Sequence, residues 1–147
     1  MIVRSFSAAL LLASAVAAGA ASAAGVGGRP LYATLTGAAE RPTPGDTDGS
    51  GSAKITVNPG KSQVCWTLTA EDIAPATAAH IHIGDTETTG PVVVTLTAPT
   101  DGSSTGCVED SDARAILDDP ADYYVNVHTA DFPAGAIRGQ LSTKKAK

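Results

Sequence analysis

Three histidines are the only imidazoles in this chain, and all three fall inside stretches where apolar and polar residues alternate. In Ala78-Ala79-His80-Ile81-His82-Ile83-Gly84, a two-residue period puts His80 and His82 on one face of a strand and Ile81 and Ile83 on the other. In Tyr123-Tyr124-Val125-Asn126-Val127-His128-Thr129, Val125 and Val127 share a face, which leaves Tyr124, Asn126 and His128 opposite. The apolar faces belong to a core, so both sets of histidines look away from it. If the two strands pair or lie close, the three imidazoles converge on one patch. Neutral imidazole nitrogens on rigid strands suit Cu(II) or Zn(II). Tyr124 and Asn126 share the outward phase and are placed to orient an imidazole. A rival reading of the same residues is a hydrogen-bonded His/Tyr/Asn network that fixes the sheet surface without metal.

Other constellations carry less. Asp46-Thr47-Asp48-Gly49-Ser50-Gly51 opens like a calcium loop, but its twelfth position is Val57 where a bidentate Glu is needed. It reads as a turn rich in Asp and Gly. Arg138 points opposite Ile137 and is expected at the surface or in a cross-strand ion pair. There is no Gly-x-Ser-x-Gly elbow and no Gly-rich phosphate loop leading into a helix, so nothing marks a hydrolase and no catalytic residue is assigned.

The elements that must position the histidines are short alternating runs divided by Gly, Pro, Asp and Ser. Strands are expected at Leu31 to Thr36, Ala53 to Val57, a third carrying Val64, Trp66 and Leu68 inward, Ala78 to Ile83, Pro91 to Thr97, Tyr123 to Thr129 and Ala136 to Leu141. Asn58-Pro59-Gly60-Lys61 reads as a hairpin turn, and Gly106-Cys107-Val108 as an edge strand. Ser111 to Leu117 has Ala113, Ile116 and Leu117 at helical spacing and stops before Pro120, so a helix of about two turns is expected there. Seven or eight strands with one short helix make an all-β fold, an antiparallel, Greek-key-like β-sandwich or flattened barrel. The expected core is Leu35, Ile55, Val57, Val64, Trp66, Leu68, Ile81, Ile83, Val92, Val94, Leu96, Val125, Val127, Ile137 and Leu141.

The 147 residues fit one domain, and a hydrophobic share of 43% is enough for one modest core. The net charge of −5 is the wrong balance for a partner bound through phosphates, which excludes nucleic acid. Residues 1 to 23 read as a secretory signal peptide. Arg4 precedes the apolar run Ala8 to Ala18, which is too short to span a membrane, and Ala21-Ser22-Ala23 fits the cleavage rule. The remaining segment, 24 to 147, has no later apolar stretch of spanning length, so a secreted or periplasmic protein is expected. In that compartment Cys65 and Cys107, the only two cysteines, are expected to form a disulfide on the outer side of the sheet. A thiolate metal site would need Cys or His at ligand spacing beside them, and neither has one.

Four motifs, Ala79-His80-Ile81-His82-Ile83-Gly84, Gly90-Pro91-Val92-Val93-Val94, Tyr123 to Thr129 and Pro133-Ala134-Gly135-Ala136-Ile137-Arg138-Gly139-Gln140-Leu141, together resemble the CHRD (chordin) domain family, in its single-domain bacterial secreted form. The resemblance spans about Leu31 to Leu141. It implies a secreted binding module with an extracellular ligand or protein partner that the sequence does not identify. A more distant likeness is to Cu/Zn superoxide dismutase, a β-sandwich that ligates copper through a His-x-His strand and a later strand histidine. His80, His82 and His128 would take those copper positions. A histidine bridging to zinc has no counterpart here. Three functions follow: a binding module whose surface histidines hold copper or zinc, a copper redox enzyme of dismutase-like architecture, or a structural domain without metal.

Overall fold

The computed structural model describes residues 27–145, so the expected signal peptide lies outside the described residues. Alternation of small and branched apolar residues with Thr, Ser and Lys produces eight strands, because each such run can bury one face and wet the other. They are β1 (Arg29–Thr36), β2 (Ser50–Asn58), β3 (Gln63–Glu71), β4 (Ala76–Ile83), β5 (Val92–Leu96), β6 (Ser103–Glu109), β7 (Tyr123–Thr129) and β8 (Ile137–Gln140). The Pro59–Lys61 turn joins β2 to β3, with Ser62 left-handed at its end. One helix, α1 (Ala113–Asp118), is shorter by a residue than the periodicity suggests and starts two residues later.

All strands pair antiparallel in one sheet of order β5-β4-β7-β8-β1-β2-β3-β6. The sheet curls into a nearly closed barrel. Its two edges approach one another where Ser104 Oγ donates to Thr97 O at 2.6 Å. The opposite joint is narrow. β1 meets β8 at Thr36 and Arg138, and Tyr32 exchanges backbone hydrogen bonds of 2.8 and 2.9 Å with Ser142.

The inner phases of every strand but β6 meet in one core that includes Leu31, Leu35, Ile55, Val57, Leu68, Ile81, Val125, Val127 and Ile137, with Ile116 and Leu117 of α1 closing it against β2. Each such side chain contributes about 1.5–3 kcal/mol of transfer free energy on full burial. Thirteen of the fifteen expected core residues are buried. Ile83 and Val92, 39% and 46% exposed, are not. The cause is a bulge. Ile81 pairs with Val94 but His82 pairs with Val92, so Val93 is an extra residue and the phase of β5 flips before it. Val92 therefore lies outward beside His82, and Ile83 is the last residue of β4, paired with Tyr123.

Cys65 and Cys107 stand opposite each other on β3 and β6 and form a disulfide, with Cys107 exposed on the outer face. Among the described residues, no helix is long and apolar enough to cross a membrane.

Candidate metal centre

β4 carries His80 and His82, and its antiparallel neighbour β7 carries His128. Pairing sets His82 against Tyr124, His80 against Asn126 and Ala78 against His128. His128 is thus the diagonal neighbour of His80, a separation that ring side chains can bridge. His80 Nδ1 and His128 Nε2 lie 3.1 Å apart, and one nitrogen from each of the three rings falls within 4.8 Å of the others. The convergence expected from alternation is present.

Backbone carbonyls determine where the protons sit. His82 Nδ1 is 2.8 Å from Gly90 O, and His128 Nδ1 is 3.0 Å from Pro133 O. A carbonyl only accepts, so each Nδ1 carries the proton and each Nε2 keeps its lone pair. His128 Nε2 then accepts from His80 Nδ1–H. His82 Nε2 is buried and has no hydrogen-bond partner among the described residues. Bonds from a ring N–H to a carbonyl are the device that fixes the tautomer of a ligating imidazole. Two nitrogens each about 2.0–2.1 Å from one ion are at most about 4.2 Å apart. An ion would therefore have to draw the widest pair together and displace the shared His80 proton.

Electrostatics favour the neutral ligand. Desolvation, then the neighbouring His128 and His82, hold His80 below its ordinary 6.5. Desolvation also lowers His128, outweighing the opposite pull of the Pro133 carbonyl.

The outer face beside the histidines is covered. The loop 84–90 between β4 and β5 and the segment 37–49 between β1 and β2 fold over it, joined by an Arg41–Glu87 ion pair at 3.4 Å. Arg138 is therefore not at the surface but 2% exposed, a correction to the sequence expectation. Its guanidinium carbon lies 3.4 Å above the Tyr124 ring centroid, and Nη2 donates to Asp85 O and Thr88 O. The other side of the same ring stacks on His82, with centroids 4.9 Å apart and planes 4° from parallel. Tyr124 thus touches an imidazole, as its phase suggests. Asn126 is buried next to His80 but hydrogen-bonds no imidazole among the described residues.

Sequence reasoning did not single out Glu40. This carboxyl is 3% exposed, and burial pushes it up to about 7 against the opposing pull of the Arg138 charge, the Arg41 backbone N–H and the Asn126 amide. Nor did it find the Gly90 and Pro133 carbonyls. The one available signal was the Gly-Pro and Pro-Ala-Gly punctuation around them. The Asp46 loop that opens like a calcium site serves the fold: Asp46 N–H donates to Ala136 O at 2.8 Å.

The model of the CHRD domain matches residues 31–141. The chain belongs to the CHRD domain family. All three histidines, Glu40, Tyr124 and Arg138 lie within the span that the CHRD domain covers. No curated protein and no solved structure matches the chain.

Proposed function

We propose that this CHRD domain is an exported, non-catalytic binding module that holds one copper(II) ion, or zinc in its place, on His80, His82 and His128. The single observation that carries the reading is the imidazole geometry. Two rings have Nδ1 tied to carbonyls, the buried Nε2 of His82 has no partner among the described residues, and one nitrogen from each of the three rings lies within 4.8 Å of the others. A buried lone pair left unmatched costs free energy that an ion would recover. Copper is preferred because affinity for nitrogen sites peaks at Cu(II) among divalent first-row metals. Export is supported by the leader-like residues 1–23 and by a disulfide built into the fold.

The test is elemental analysis of protein purified without chelator or affinity tag, followed by Cu(II) titration of the wild type and of a variant with all three histidines changed to Ala. Tight 1:1 binding that disappears in the variant is the expected result. Equal binding by both proteins sinks the reading and leaves the His80–His128 hydrogen bond as a structural cross-link.

A further inference from the structure

Arg138 is a buried cation whose hydrogen bonds run away from its own strand. Both bonds from Nη2 go to carbonyls of one loop, those of Asp85 and Thr88. That loop is internally rigid. Asp85 Oδ1 accepts from the backbone N–H groups of Glu87 and Thr88, at 2.9 and 3.0 Å, and from Thr88 Oγ1. Its near end is fixed independently, since Gln140 Nε2 donates to Gly84 O and Gly84 N–H donates to Asp122 O. Its far half, Asp85 to Thr88, has one buried anchor, and that anchor is Arg138. Two residues past Thr88 comes Gly90, whose N–H donates to Tyr124 Oη at 3.3 Å and whose carbonyl accepts from His82 Nδ1–H.

We propose that Arg138 is a positioning residue for His82: its guanidinium clamps the loop 85–88 so that the Gly90 carbonyl holds His82 in the Nδ1–H tautomer with Nε2 turned to the other imidazoles. The same guanidinium seats the Tyr124 ring from behind, so the face on which His82 stacks is fixed as well. A planar fork suits this task because one nitrogen reaches two carbonyls while the plane lies on the ring. A lysine ammonium has no plane to stack. The site itself sets the limit of tolerance at Gly90, where a Cβ would run into Ile83 O. The consequence for metal affinity rests on the copper reading above; the consequence for the His82 tautomer does not.

The experiment is long-range proton–nitrogen NMR of the metal-free, 15N-labelled protein at pH 8. In the wild type, His82 and His128 should each show a single Nδ1–H tautomer. In Arg138→Met, His82 should become a tautomer mixture while His128, held by Pro133 on a different segment, stays as it was. A merely structural role would disturb both rings or neither. Gly90→Ala displaces the carbonyl without touching Arg138 and should reproduce the His82 change, which keeps the test alive if Arg138→Met does not fold. Cu(II) titration of Arg138→Met should show affinity about 10–100-fold weaker, the range typical for loss of a group that orients a ligand. A His82 that keeps its single Nδ1–H tautomer in either variant overturns the proposal. Failure of the wild type to bind Cu(II) would overturn the metal reading alone.

Discussion

At His80 and His128, protons compete with any metal for the same lone pairs, and burial has already weakened the proton. Both imidazoles bind a proton only below 6.5, so Cu(II) affinity should hold to a lower pH than for a free imidazole and then fall steeply. Isothermal titration between pH 5 and 8 reads this directly; a fall already centred above 6.5 would contradict it. The same shifts act on the metal-free fold. Below 6.5 the unfolded chain takes up protons on these residues before the folded one does. Their contribution therefore makes stability drop as pH falls from 6.5 to the lowered folded values and level off beneath them. Among single substitutions, His82→Ala should weaken Cu(II) by at least about tenfold while leaving the circular dichroism spectrum unchanged, because its ring lies outside the core.

Among the elements, β6 depends most on one covalent link. Among the described residues it pairs only with β3, and Cys107 joins it to Cys65 across a sequence separation of 42. Closing such a loop stabilises by about 4 kcal/mol in the chain-entropy model. Replacing both cysteines with Ala should lower stability by up to that amount and raise amide exchange across Thr105 to Val108, with β4 and β7 still protected. Uniform exchange in every strand would show that β6 is no independent unit. Trp66 packs across the same pair of strands, over Gly106, where any Cβ would meet the indole ring. Trp66→Ala should cost roughly 3–5 kcal/mol, and a loss below about 1 kcal/mol would mean that the indole does not anchor this joint. Period-two alternation made these strands, their inward faces and the shared outward phase of His80, His82 and His128 legible from sequence. The bulge at Val93 was not, because one inserted residue leaves no mark on composition yet reverses Val92.

Across the whole molecule, a covered strip on the outside of the sheet is what the sequence conceals. Alternation says only that Tyr124, Asn126 and Arg138 face away from the core; it cannot say that two loops fold over them. Glu40 comes from one of these loops, and its side chain lies where a Cβ on Gly135 would touch the carboxylate. The β1–β2 and β7–β8 connections, which leave the sheet at the same end, thus meet on a single buried acid. Its ordinary value of 4.5 is raised to about 7, so between those values the folded protein holds a proton that the unfolded chain has lost. This contribution is complete below 4.5 and is lost as pH rises to 7, a decline of about 3 kcal/mol at most. It runs against the histidine effect over the shared part of the window. Glu40→Gln separates the two, since an amide keeps the shape and cannot ionise. Thermal unfolding of the variant should show stability that only rises between pH 4.5 and 7, while the wild type shows a flatter or falling profile. Parallel profiles for the two proteins would mean that Glu40 ionises as easily in the fold as in the unfolded chain.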